Sequence, residues 1–298
     1  MLIAGPTASG KSRAALALAQ AVGGAVINAD SMQVYRELRV LSARPGKAQE
    51  ASAPHLLYGH VSAFARYSAG RYAADSAAAL ADAQGRGLLP VFTGGTGLYF
   101  SVLTEGLADI PPVPAEVRDR ARMKLADIGV NALHAELMRR DPETAARLRP
   151  SDPQRVLRAW EVIEATGKPL ARWQKKTGKP VLAGMRLAKF VVDLPRPLLR
   201  ERIEARFRAM LEAGAQEEAE SLRGIDPSLP AAKTLGLREL WALTEGKLGR
   251  EEAIDAAVVA TRQFAKRQTT WLRHRMTDWQ WITPESDNII TLLRQNLS

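Results

Sequence analysis

Cysteine is missing from all 298 residues. That absence removes disulfides, thiolate metal sites and cysteine nucleophiles together, and it fits a reducing compartment. Histidine is scarce, with four residues, and His55 and His60 in an irregular stretch show no metal-ligand spacing. No apolar run approaches the roughly 18 residues of a membrane span. Met1 leads straight into an apolar strand-like segment, leaving no room for a signal peptide. The expectation is a soluble, cytoplasmic protein without a membrane partner. Internal repeats and low-complexity tracts are also lacking. Acidic residues are in deficit, 32 Asp and Glu against 42 Lys and Arg, and the resulting net charge of +10 points to a polyanionic partner such as nucleic acid. What remains is an ordinary globular composition, 46% apolar and 25% charged, long enough for one large domain or two modest ones.

One stretch organises the chain. Gly5-Pro6-Thr7-Ala8-Ser9-Gly10-Lys11-Ser12 fits the phosphate-loop pattern G-x-x-x-x-G-K-[ST]. Glycines at both ends let the backbone curl into a concavity of N–H donors, and the following helix aims its positive end at the same point. Lys11 adds a mobile cation and Ser12 a hydroxyl able to ligate Mg²⁺. The context agrees, because Met1 to Ala4 reads as a buried strand and Arg13 to Val22 as a helix.

Further on, Ala25 to Ala29 reads as a second buried strand delivering Asp30-Ser31-Met32-Gln33-Val34-Tyr35 at its end. Ligands of open α/β sheets sit beyond the carboxyl ends of strands, so Asp30 and the phosphate loop open into one crevice, unless Asp30 only caps the next turn. Residues 36 to 70 are irregular. Tyr72 to Ala83 is helical, and Leu88 to Phe92 is a strand carrying Thr93-Gly94-Gly95-Thr96-Gly97, either a second anion-facing loop or a tight turn. Pro111, Pro112 and Pro114 form a stiff connector. Strand signals then vanish up to Lys179, and helices are expected over Ala115 to Asp127, Asn131 to Arg140, Pro142 to Leu148, Asp152 to Thr166 and Pro169 to Thr177. The α/β pattern resumes with a strand at Lys189 to Leu194, where Asp193 is a weaker metal-binding candidate than Asp30, and a helix at Pro197 to Ala213. The long helix Arg250 to Arg275 places Arg262, Lys266 and Arg273 within about 40° of one another, a face suited to RNA phosphates or simply to water. The expected fold is an α/β, phosphate-loop NTPase-like parallel-sheet core, residues 1–112 and 183–298, with a helical insertion domain at 113–182.

Five motifs in order, Gly5 to Ser12, Asp30 to Tyr35, Gly94-Gly95-Thr96-Gly97-Leu98-Tyr99, Asp152-Pro153-Gln154-Arg155-Val156-Leu157-Arg158 and Ala260 to Arg273, resemble the tRNA dimethylallyltransferases, or tRNA isopentenyltransferases. The resemblance covers nearly the whole chain. It implies an enzyme that moves a dimethylallyl group from dimethylallyl diphosphate to the exocyclic N6 of adenine 37, beside the anticodon of tRNA, giving N6-dimethylallyladenosine and diphosphate. Loops of this kind commonly bind nucleotides such as ATP; here the resemblance implies that residues 5–12 hold the prenyl diphosphate instead, with Mg²⁺ at Ser12.

The resemblance also implies roles. Adenine N6 is a poor nucleophile because its lone pair is delocalised, and Asp30 matches the family's base. Lys11, the loop amides and Arg118 match the groups that steady the leaving diphosphate. Thr96 and Gln33 would contact the extruded adenine or its neighbours, and the tRNA anticodon stem-loop would touch Asp30, Ser31, Met32, Gln33, Thr96, Arg118, Gln154, Arg155, Val156, Leu157 and Arg158. A loop adenine is cheaper to extrude than one in a duplex. Two departures stand out: Gly236-Leu237 replaces a Gly-Tyr pair frequent in the family, and the zinc-finger extension of eukaryotic relatives is missing, as in bacterial members. A monomer is expected. The rival reading is a phosphate-loop kinase of a nucleotide or small metabolite, with Arg155 and Arg158 in its lid.

Overall fold

Leu2–Ala4, three residues without solvent contact, form the strand from which the fold is built, β1. The computed structural model describes residues 1–284 together with Thr291 and Gln295. The chain divides into two compact units, one formed by Met1–Leu103 with the residues from Gly184 onward, the other by Thr104–Ala183.

In the first unit, β1 is joined by β2 (Gly24–Asn28), β3 (His55–Leu56), β4 (Leu89–Gly94), β5 (Lys189–Val192) and β6 (Gln280–Ile282) in one sheet of order β3-β2-β4-β1-β5-β6. Every pairing is parallel, and Leu2 aligns with Phe92 on one side and Lys189 on the other. Parallel sheets are covered on both faces, which is why β1 and β2 are uniformly buried and read as apolar runs. Helix α1 (Lys11–Val22) turns Ala14, Ala15, Leu18 and Ala19, a single 3.6-period stripe, onto a core with Ile3, Val26, Val91, Phe190 and Val192. The short α2 (Lys47–Ser52), then α3 (Ala69–Gly85) and α4 (Gly97–Thr104), complete the first half.

The second unit is helical: α5 (Ala115–Arg140), α6 (Pro142–Ala145), α7 (Pro153–Thr166) and α8 (Leu170–Gln174). Helix α5 is broken at Gly129, with φ 75° and ψ 168°, between the two helical runs expected from the sequence. Its own core joins Val117, Ala121, Leu133, Leu137, Val156, Trp160 and Ile163. The proline connector belongs to this unit because Val113 is part of that core. The Leu107 carbonyl accepts the Gly178 amide at 2.5 Å and Ala108 bridges Thr177, so the entering and leaving strands of the unit are zipped together. These contacts set the unit's edges at 104 and 183.

The chain returns with α9 (Arg196–Glu212), α10 (Ala215–Ser221), α11 (Leu237–Thr244) and α12 (Arg250–Arg275). Strand β3 has only two residues, too few for any periodicity, and lies inside the stretch read from sequence as irregular. Leu237, in place of the frequent family tyrosine, is fully buried at the start of α11, an apolar position with no use for a hydroxyl.

Candidate functional site

The loop between β1 and α1 is shaped by backbone geometry. Gly10 caps α1 in the left-handed region at φ +94°, and Ala8 takes the same region at φ +64°, uncommon for a residue with a Cβ. Lys11 folds back so that its Nζ donates to the Pro6 carbonyl at 3.1 Å. It is buried, and that burial pushes its pKa down to about 8, with Asp30 pulling up and Arg206 pushing further down. Ser9 is fully buried and its Oγ has no hydrogen-bond partner among the described residues, whereas Ser12 is exposed on the first turn of α1.

Asp30 lies just past the end of β2, held by Asn28. The Asn28 side chain accepts the Asp30 amide at 2.8 Å and donates to the Asp30 carbonyl at 2.9 Å and to Leu57 at 3.1 Å. Asp30 Oδ1 accepts the Met32 amide at 3.0 Å. Oδ2 faces Gly95, 3.4 Å from where a side chain on that residue would begin. The same imaginary Cβ would lie 2.3 Å from Gln268 Nε2, so only glycine allows this approach.

Two loops close around this carboxylate. Thr96 donates its amide to Ala29 at 3.2 Å, its Oγ1 accepts the Ser31 amide at 2.9 Å, and that hydroxyl meets Ser31 Oγ at 3.2 Å. Gln33 gives both protons of its side-chain amide to backbone carbonyls, Ser42 at 2.9 Å and Ala43 at 3.0 Å. Its Oε1 therefore remains an acceptor with no partner among the described residues. Gln268 of α12 joins the two glycine loops: its Oε1 accepts the Thr7 amide at 2.9 Å and its Nε2 donates to Gly95 at 2.8 Å. Lys11, Asp30, Ser31, Met32, Gln33 and Thr96 thus come together at the carboxyl ends of β1, β2 and β4, where open α/β sheets bind ligands.

Arg206 of α9 adds a cation to this cluster. Burial lowers its pKa and Asp30 counters, as expected of a guanidinium drawn into the site. It lines a small cavity beside Thr7 and Ala8 whose other walls include Leu41, Ile203, Phe207 and Leu235. Ile203 also borders a larger groove of about 740 Å³ between α9 and α12. The groove has an apolar floor that includes Leu199, Ala265, Trp281 and Ile282, and a rim of Arg196, Arg200, Arg262, Lys266 and Arg273. Arg273 pairs with Asp193 at 3.6 Å, so that carboxylate is occupied by an ion pair. The other four cations make no ion pair among the described residues.

In the second unit, Arg118 is half-buried on α5, and Gln154, Arg155 and Arg158 are exposed on α7. Arg158 lies 3.6 Å from Glu161, whose pKa burial raises and Arg158, Arg118 and Arg122 lower, so three arginines surround one carboxylate. Arg155 pairs with Asp152 at 3.4 Å, and Asp152 also caps α7. Val156, expected among the tRNA contacts, is 0% exposed in the unit's core, because α7 turns every third or fourth residue inward. Leu157 packs partly against the same core.

Asn28, Gln268 and Arg206 escaped assignment from sequence. A polar residue inside a buried strand is costly unless bonded, which marks Asn28 in retrospect. Gln268 carries a similar signal as the one uncharged polar side chain buried on α12. Arg206 carries none, being one of five arginines on α9.

Among the described residues no group of three His, Cys, Asp or Glu could hold a metal, and no helix is long and apolar enough to cross a membrane. The family model described as IPP transferase matches residues 33–275, and one described as isopentenyl transferase matches residues 1–56. A tRNA dimethylallyltransferase of Bradyrhizobium sp. (strain ORS 278) is 53% identical over 288 residues, 96% of this chain and 94% of the relative. One from Rhodopseudomonas palustris (strain ATCC BAA-98 / CGA009) is 52% identical over 96% of this chain and 89% of its own. Among solved structures, the full-length tRNA isopentenylpyrophosphate transferase of Bacillus halodurans superposes with a TM-score of 0.68 at 31% identity, covering 99% of this chain and 94% of that one. A eukaryotic dimethylallyltransferase acting on tRNA gives 0.81 at 27% identity, over 99% of this chain and 76% of that one.

Proposed function

Since the chain belongs to the IPP transferase family, the tRNA dimethylallyltransferases, we propose that its site moves a dimethylallyl group from dimethylallyl diphosphate to N6 of the adenine beside the anticodon, at position 37. The observation carrying this reading is the convergence of Lys11, Arg206 and Asp30, with the carboxylate acting on the ionisation of both cations and Arg206 on that of Lys11. The loop amides with Lys11 and Arg206 take the diphosphate, and the small cavity beside Thr7 and Ala8, about 40 Å³, gives apolar contact to part of the five-carbon chain. Attack by N6 forms the C–N bond as the C–O bond to diphosphate breaks. The N6 proton passes to Asp30 Oδ2, the oxygen not engaged by Met32. Negative charge gathers on the departing diphosphate, where preplaced cations and N–H donors lower the barrier.

Gln33 Oε1, left as an acceptor, is suited to an amine edge such as that of adenine, and the linked hydroxyls of Thr96 and Ser31 offer further polar contacts to the base. Arg118, Gln154, Arg155 and Arg158 serve the RNA from the second unit, and the four unpaired cations of the α9/α12 groove offer it phosphate contacts. An exposed Ser12 hydroxyl at the start of α1 fits Mg²⁺, which keeps water and substrate phosphates as its main ligands. Bound there, Mg²⁺ supplies further neutralisation of the leaving group's charge.

The test uses labelled dimethylallyl diphosphate, Mg²⁺ and unmodified tRNA, followed by nucleoside analysis. Label is expected on N6 of the adenine beside the anticodon. Asp30→Asn should bind diphosphate normally while transfer falls by about 10²–10⁴-fold, the usual worth of a general base. Wild-type transfer by that variant would remove Asp30 as the base.

A further inference from the structure

Glu218 of α10 lies in no motif, yet both oxygens of its carboxylate are spent on one loop. Oε2 accepts the amides of Arg39 and Val40 at 2.8 and 2.7 Å, and Oε1 accepts that of Leu41 at 2.8 Å. The next two residues, Ser42 and Ala43, are the ones whose carbonyls receive the side-chain amide of Gln33. Within the loop Ser42 Oγ donates to Leu38, Ala43 to Val40 and Arg44 to Arg39, while the Arg39 side chain reaches Pro45 and Glu50 and the Arg44 side chain reaches Tyr35 and Arg36. Among the described residues, the amides of residues 39–41 have their side-chain partner in Glu218 alone. Ala43 takes a left-handed φ of +51°. Three consecutive amides on one carboxylate make a rigid anchor, because leaving such groups unpaired away from water is costly. The orientation of the Gln33 amide is set by the same chemistry: both partners are carbonyls, so its nitrogen faces the loop and its oxygen is left as an acceptor.

We propose that Glu218 is a positioning residue for base recognition: by clamping residues 39–41 it holds the Ser42 and Ala43 carbonyls where they lock Gln33 with only an acceptor presented to the target base. The inference rests on the reading that Gln33 contacts the adenine. Without the clamp the loop loosens and the Gln33 amide is free to turn. A turned amide offers a donor, which suits an adenine amine badly.

The test is a double-mutant cycle on the full chain with E218A, Q33A and the combined variant, measuring kcat/KM for tRNA and KM for dimethylallyl diphosphate. Each single change should lower kcat/KM for tRNA about tenfold; Q33A should leave KM for the diphosphate within twofold, whereas E218A, which also frees Leu41 at the wall of the cavity beside Thr7 and Ala8, should raise it. The double variant should be no worse than the worse single, since both act through one contact. E218Q keeps an oxygen able to accept from Arg39 and Val40 and should restore part of the loss; it also carries the cycle if E218A does not fold. Multiplying losses, near a hundredfold in the double variant, would overturn the proposal, as would a loss confined to melting temperature. Full activity in Q33A would remove the adenine contact and the inference with it. A loss in Q33A beside an unaffected E218A would leave the contact standing and remove the clamp.

Discussion

Replacing Gln268 with leucine would cut the bridge between the two glycine loops while changing the side-chain volume little. Gln268 is 7% exposed and uses both ends of its amide, accepting from Thr7 at 2.9 Å and donating to Gly95 at 2.8 Å. Leucine leaves both backbone groups without their partner. Each orphaned group costs about 1–3 kcal/mol, the Gly95 carbonyl toward the upper end because its bond is buried and the Thr7 amide toward the lower because water reaches it. The expected destabilisation is about 2–4 kcal/mol in urea unfolding followed by circular dichroism. The loops then need reordering on ligand capture, so diphosphate affinity by calorimetry should fall about tenfold, a 1.4 kcal/mol effect. Gln268→Glu sharpens the test. It keeps an acceptor for Thr7 but opposes the Gly95 carbonyl with a second acceptor and brings a negative charge toward the anion's seat, so diphosphate binding should suffer more than in the leucine variant. A leucine variant within about 0.5 kcal/mol of wild type with unchanged diphosphate affinity would refute the bridge.

Lys11 makes diphosphate capture sensitive to mild alkali. Its pKa in the free protein is about 8, so the cation is complete below that value and is lost as pH rises through it, and affinity should fall by up to tenfold per unit above pH 8; Lys11→Met carries the ligand's own ionisation as the control, and equal slopes in both proteins would sink the assignment. The sign reverses for stability. With 10.5 in the unfolded chain, the unfolded state binds more protons between pH 8 and 10.5, so this residue's burial penalty shrinks as pH rises across that window. On the groove rim, the Arg262→Ala, Lys266→Ala double variant should lower the slope of log affinity for tRNA against log salt by about 1.5, roughly two phosphate contacts, and an unchanged slope would take that face out of RNA binding.

The backbone of this site was legible because it is written in local rules. A phosphate loop needs its glycines and lysine in a fixed spacing, and a buried parallel strand needs an unbroken apolar run, so Gly5 to Ser12 and the ends of β2 and β4 could be read directly. The break in α5 was likewise visible between Asp127 and Asn131, where Gly129 now sits. The partners that hold these parts in place were not legible. Gln268 reaches Thr7 across 261 positions and Glu218 reaches Arg39 across 179, and no periodicity encodes such pairs. The burial of Val156 was hidden for a different reason: it lies inside a recognisable motif, but a helical motif has an inner and an outer face, and the resemblance alone did not separate them.

The zip between Leu107 and Gly178 also bears on the order of folding. β1 pairs with β5, so the two halves of the sheet must find each other across the roughly 80 residues of the second unit. A loop of that length, if flexible, raises the entropy of closure, and shortening it to about 10 effective residues lowers the cost by about 2 kcal/mol by the (3/2)RT ln n rule. A unit with its own core and its ends already hydrogen-bonded together provides that shortening. A helical unit formed first would thus speed assembly of the sheet, and loosening the Leu107–Gly178 neck should slow formation of the sheet more than it weakens either core.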